Sequence, residues 1–283
     1  MLIALLSLLS LAHEEPTPAP TGAAVQSKVI YLNRTGVSVT PGSSDARINR
    51  TSVTHQPGTI PAWNPGDEVW ADTVACLEAM FQPFDVELTE IDPGARAHIE
   101  AVFGGKPSLF GLGSRVAGVA PLSTTCGVVE NAMVFTFTEI LVNKGQVVCE
   151  TMAQEIGHAY GLDHQMLAAD PMSYLDHPSK RTFQNEVAAC GETTARPCGI
   201  GTASCRAEQN SYAILLERLG ASGAEPTEPE PVNPTDLDAP DDEAPVEVGC
   251  NTGGQRTGGV VGLALLGAML RRRRSATSRS TAR

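Results

Sequence analysis

Three short runs carry the chemistry of this chain: Gln154-Glu155-Ile156-Gly157-His158, then Gly161-Leu162-Asp163-His164, then Asp170-Pro171-Met172-Ser173-Tyr174. On a helix, positions 154 and 158 lie four apart and share a face, the spacing with which two side chains hold one metal ion. Glu155, one position on, stands where a carboxylate acts as general base on a metal-bound water. Gly161 is the residue type that takes a positive φ, ends a helix and turns the chain, which brings His164 back as a further ligand.

The runs resemble the metzincin zinc peptidases, H-E-x-x-H-x-x-G-x-x-H followed by a methionine turn, with Gln154 in place of the first histidine. Gly157 and Gly161-Leu162-Asp163-His164 bring the resemblance closest to the matrixin branch. It implies that Glu155 matches the catalytic base and that His158 and His164 match the second and third zinc ligands. Met172 matches the turn methionine beneath the metal, with a core-filling methionine as the alternative. Tyr174 matches a tyrosine that approaches zinc in some branches, with packing against Met172 as the alternative. The implied fold is α/β (α+β) and zincin-like: a twisted mixed sheet, an active-site helix, a methionine turn and an edge strand that pairs with an extended peptide.

The departure at Gln154 bears on function. Catalytic zinc takes imidazole, thiolate or carboxylate ligands, and a glutamine offers only a neutral amide oxygen. Zinc is therefore expected to be weakly bound or absent. The leading expectation is a catalytically inactivated metallopeptidase homologue that keeps an extended peptide or protein ligand. The alternatives are an active zinc-dependent metalloendopeptidase, its coordination completed by Gln154, His177 or Tyr174, and a surface structural or adhesion module. His177 reads better as a loop residue, and His55 and His98 receive no role.

Positioning these residues requires a folded domain, and the apolar patterning places it over residues 28–220. Lys28 to Asn33 is a strand-like run, Ala71 to Phe81 has helical spacing, and Phe84 to Glu90 alternates like a strand. Ala97 to Phe103 and Ala132 to Thr138 are further strands, Cys149 to Tyr160 the site helix, and Ala207 to Leu219 a closing amphipathic helix. Strands with interposed helices imply a layered structure.

The chain has 283 residues, and 20 basic against 32 acidic side chains give a net charge of −12, which argues against a nucleic-acid partner. Residues 1–12 read as a secretory signal peptide and 13–27 as a proline-rich tether. Residues 221–249 hold nine acidic residues, six prolines and no basic residue, a composition that reads as a disordered, solvated stalk. Six cysteines, Cys76, Cys126, Cys149, Cys190, Cys198 and Cys205, fall inside the domain without any C-x-x-C pair. With an export signal, the even count predicts up to three disulfides, and the spacing leaves their pairing open.

Residues 250–283 run from Cys250 through an uncharged stretch, Thr257 to Leu270, to the cluster Arg271 to Arg274. That order resembles the myxobacterial-type C-terminal sorting tail, which implies sorting and processing machinery as a partner, anchoring at Cys250 and a place on the outer cell surface. A short tail anchor held by positive-inside arginines is the alternative. Either reading makes the protein exported, on the cell surface or secreted, and touching the membrane only through the tail.

Overall fold

A computed structural model of the chain describes residues 25–141, 144–201, 203–223 and 246–248. The expected signal peptide, nearly all of the tether, Cys250 and the arginine-ended tail lie outside the described residues.

In chain order the elements are β1 (Val29–Asn33), β2 (Val37–Pro41), β3 (Arg50–Thr51), β4 (Gly58–Ile60), α1 (Asp67–Phe81), β5 (Glu87–Thr89), β6 (Ile99–Phe103), β7 (Gly118–Val119), β8 (Pro121–Ser123), β9 (Met133–Thr136), α2 (Gly145–Ala159), β10 (Ala188–Ala189), β11 (Glu208–Gln209), α3 (Ser211–Leu219) and β12 (Val246–Val248). The main sheet has the order β5-β1-β6-β9-β7. β5, β1, β6 and β9 are parallel, and β7 closes one edge antiparallel to β9. The class is thus mixed α/β with mixed sheets and three α-helices among the described residues, as the interleaved strands and helices imply.

Central strands covered on both faces need apolar residues in continuous runs, and β6 and β9 supply them as Ile-Glu-Ala-Val-Phe and Met-Val-Phe-Thr, every position buried. Ile99, Ala101 and Phe103 pack with α1 and α2 on one face, while Val102, Met133 and Phe135 meet Val39, Ile60 and Phe110 from the small β2–β4 sheet and its loops on the other. α1 buries Trp70, Thr73, Leu77, Met80 and Phe81. Its close contact with α2 requires Gly145, where a Cβ would lie 2.7 Å from Asp72 Cβ and 2.9 Å from Thr73 N. Cys76–Cys149 then clamps the two helices covalently.

The helix boundaries differ from the sequence expectation for local reasons. α1 starts at Asp67, with Asp67 and Glu68 in the first turn where the helix dipole favours acids. α2 starts at Gly145, four residues before Cys149. The closing helix starts at Ser211, because the Asn210 side chain accepts a hydrogen bond from the Ala213 amide and Glu208–Gln209 pairs instead with β10. The expected strand Phe84 to Glu90 is regular only at Glu87–Thr89. Inside the stretch expected to be a disordered stalk, β12 pairs antiparallel with β8.

All six domain cysteines are paired, as Cys76–Cys149, Cys126–Cys205 and Cys190–Cys198. Three disulfides suggest a protein that folds in an oxidising, exported compartment. Among the described residues no helix is long and apolar enough to cross a membrane.

The sheet face away from α2 carries one ionisable group of note. Glu100, 3% exposed on β6, accepts a 2.7 Å hydrogen bond from Asn33 Nδ2 and borders a concavity of about 390 Å³ lined also by Tyr31, Asn33 and Asp92. Burial pushes its carboxyl up to about 7, Asp92 adds to the rise, and the Asn33 bond opposes it. A raised folded-state value means the native protein holds a proton that the unfolded chain releases, so this contribution to stability is complete below about pH 4.5 and is lost as pH rises through 7. Glu100→Gln keeps an acceptor for Asn33 and is expected to flatten that loss, gaining on the order of 3 kcal/mol at pH 8 relative to pH 4 in denaturant unfolding; parallel pH profiles for the two proteins would contradict the assignment.

Candidate metal centre

The last turns of α2 bring the chemistry to one place. Gln154, Glu155 and His158 are all buried, at 8%, 2% and 0% exposure. The helix ends in a Schellman turn: the Gly161 amide donates to the His158 carbonyl at 2.7 Å and the Leu162 amide to the Gly157 carbonyl at 2.9 Å. Gly161 has φ +77°, and a Cβ there would lie 2.5 Å from both Gly127 O and Arg218 Nη1, so no other residue fits.

That turn also fixes the first ring. The Leu162 carbonyl, delivered by the turn, accepts from His158 Nδ1 at 2.7 Å. A carbonyl only accepts, so Nδ1 carries the proton and Nε2 presents its lone pair. His164 is fixed the same way by a different element: its Nδ1 lies 3.0 Å from Glu192 Oε1. The His164 hydrogen bond outweighs burial and, with help from Arg196, pulls the Glu192 carboxyl down to about 2. Glu192 is therefore ionised and accepting, and His164 Nδ1 is the donor.

The two Nε2 atoms consequently face each other at 3.0 Å, in rings inclined at 78°. Two lone pairs at that distance repel unless a proton or a metal cation lies between them. Burial first, then the facing His164 ring, holds His158 well below the usual imidazole range, so His158 stays neutral and its Nε2 is an acceptor.

The supports of His164 come from a disulfide loop. Cys190–Cys198 closes the segment that carries Glu192 and Arg196. Arg196 Nη2 donates to Glu192 at 2.7 Å and to Asp163 at 3.0 Å, and the Gly199 amide donates to Asp163 at 2.7 Å. Burial alone would raise Asp163, but these bonds outweigh it and hold its carboxyl below the ordinary range. The ligand atoms of Asp163, His164 and Glu192 lie within 4.8 Å of one another, yet Asp163 is committed to Arg196, so the three form a hydrogen-bonded chain behind the ring. Cys190 and Cys198 also lie near Asp163, but as a disulfide they offer no thiolate.

Beneath α2 the Asp170–Tyr174 turn is pinned by buried Asp170, which accepts from the Met172 amide at 2.9 Å, the Gln184 amide at 2.8 Å and the Ser211 hydroxyl at the start of α3. Burial, opposed by these bonds, pushes Asp170 up to about 6. Met172 is fully buried against Gly157, where a Cβ would lie 2.6 Å from its sulfur. Tyr174 packs on His164 with ring centroids 4.3 Å apart.

Gln154 and Glu155 complete the picture. Gln154 Nε2 donates to the Pro171 carbonyl at 3.0 Å, tying α2 to the methionine turn and leaving only Oε1 of this side chain to offer a cation. Glu155 lies against edge strand β7, where a Cβ on Gly118 would come within 2.7 Å of its Cγ. Its Oε2 is buried without a hydrogen-bond partner among the described residues, and burial raises its carboxyl well above the ordinary range.

The structure thus brings His158, His164 and Tyr174 into contact, with Gln154 one turn earlier on α2 and bonded to Pro171, Met172 under Gly157, Glu155 on α2 and Gly161 at the turn. His98 is a core residue, its Nδ1 2.7 Å from the Arg96 carbonyl. Sequence reasoning missed Glu192 and Arg196; their one signal is the short spacing of Cys190 and Cys198 around them, informative only once the pairing is known. In comparison with known proteins, the chain matches no family model and no curated protein.

If Glu192 orients His164, then in a Gln154→His background Glu192→Ala should weaken zinc binding roughly 10- to 100-fold in competition with a chelating dye. Unchanged affinity would assign Glu192 a purely structural part.

Proposed function

We propose that the domain is an exported zincin-type homologue of the metzincin peptidases that binds an extended peptide and no longer cleaves it. The observation that carries this reading is the pair of converging Nε2 atoms, each imposed by a hydrogen bond to its own Nδ1. Three further features support it: the buried methionine below α2, the glycine turn that returns His164, and a sheet of four parallel strands closed by an antiparallel edge strand beside Glu155.

The donor set fits a divalent cation at two positions and falls short at the third. His158 and His164 would hold it, with Tyr174 packed on the His164 ring. Bound zinc lowers the pKa of a coordinated water toward 7 and polarises a carbonyl. Gln154 commits its amide nitrogen to Pro171 and offers a weak neutral oxygen. Glu155, 2% exposed and pressed on Gly118, is shut away from the water that a general base must reach. The chain's own residues therefore retain the scaffold for gripping a strand next to β7 and lack the means to activate a nucleophile.

Wild-type full chain is expected to show no chelator-sensitive hydrolysis of denatured casein, and Gln154→His is expected to gain zinc without gaining hydrolysis, because Glu155 stays packed under the edge strand. Chelator-sensitive cleavage by wild type, lost in Glu155→Ala, would overturn the reading and restore an active endopeptidase.

A further inference from the structure

We propose that β8 is a peptide-accepting edge whose resident occupant is the chain's own segment Val246–Val248, so that an external peptide gains the edge only by displacing it. The inference rests on reading the edge beside Glu155 as the gripping surface, and it adds what controls access to that surface.

The chain from Gly118 to Ser123 has two pairing roles. β7 is hydrogen-bonded to β9 and closes the main sheet, with Gly118 against the Glu155 side chain. One residue later β8 leaves that sheet and, among the described residues, pairs only with β12. Pro121 has no N–H to give, which suits an edge position and not a central one. The register is Val246 to Ser123, Glu247 to Leu122 and Val248 to Pro121. In this antiparallel sense β12 runs toward β7, and Pro121 is three residues, roughly 10 Å of extended chain, from Gly118. The chain therefore feeds one of its own strands along the edge in the direction of Glu155.

The occupant suits the task by sequence and by reach. Val-Glu-Val places two β-branched residues at i and i+2, the strand-forming pattern, within a stretch otherwise rich in proline and acid. Gly223 and Val246 are 23 positions apart in the chain, a contour of up to about 75 Å, ample to return to β8. Tethering at such lengths supplies an effective concentration on the order of 1 mM, so even a three-residue strand of millimolar intrinsic affinity holds the edge about half the time. A free peptide of equal affinity at micromolar concentration loses that competition, and one with more backbone pairing wins it.

The test compares wild-type full chain with the double variant Val246→Pro/Val248→Pro, whose prolines can neither donate to nor fit a ladder. Amide hydrogen exchange of Leu122 and Ser123, taken together, should speed about 2-fold in the variant while α2 amides keep their protection. A fluorescent peptide of sequence Ala-Pro-Val-Glu-Val-Gly should bind the variant about 2-fold more tightly than wild type in anisotropy, the factor set by an edge occupied half the time. Equal exchange in the two proteins, or equal peptide affinity, overturns the proposal. Neither readout involves zinc, so failure of the metal assignment leaves both unchanged and is told apart from failure of this one.

Discussion

Two imidazoles facing each other at 3.0 Å through their Nε2 atoms, each with its Nδ1 proton already committed, form the interaction around which the domain is arranged. With His158 neutral its Nε2 accepts, so the buried contact is relieved by a proton or a cation held between the two rings. The arrangement is held from both sides. The Schellman turn sets His158 through the Leu162 carbonyl, and a disulfide-closed loop sets His164 through Glu192, itself braced by Arg196 and Asp163. Below, Asp170 ties the methionine turn to α3.

The side chain at position 154 has a structural role of its own. The Gln154 amide donates to the Pro171 carbonyl, so this position now braces α2 against the methionine turn. Meanwhile the Glu155 carboxyl is packed under the edge strand with one oxygen unpartnered. On the proposed reading, both features keep the frame and work against hydrolysis. A frame kept rigid beside an unreactive centre is what strand binding requires, since the affinity of an added strand comes from backbone pairing and not from the metal.

Much of this was legible in the sequence because it is local. The helix, the glycine that ends it, the return of His164 and the burial of Met172 follow from spacing within some twenty residues, and the structure places each accordingly. β1, β6, β9, α1 and α2 were readable from apolar periodicity, with boundaries displaced where a cap decided the matter, as Asn210 does for α3. What was not legible depends on contacts distant in the chain. Glu192 has no meaning until Cys190 and Cys198 are known to pair, and the six cysteines alone left that pairing open. The β2–β4 sheet, of strands of two to five residues, is too short to register as a period. β12 was hidden by an acidic, proline-rich context that argues for solvated chain.

The central claim, that His158 and His164 form a metal centre weakened at position 154, is tested most directly by zinc content of the purified full chain after exhaustive desalting. The account predicts that wild type retains well under one zinc per chain, that Gln154→His retains about one, and that adding His158→Ala removes it. About one tightly held zinc in wild type, or none in Gln154→His, would contradict it.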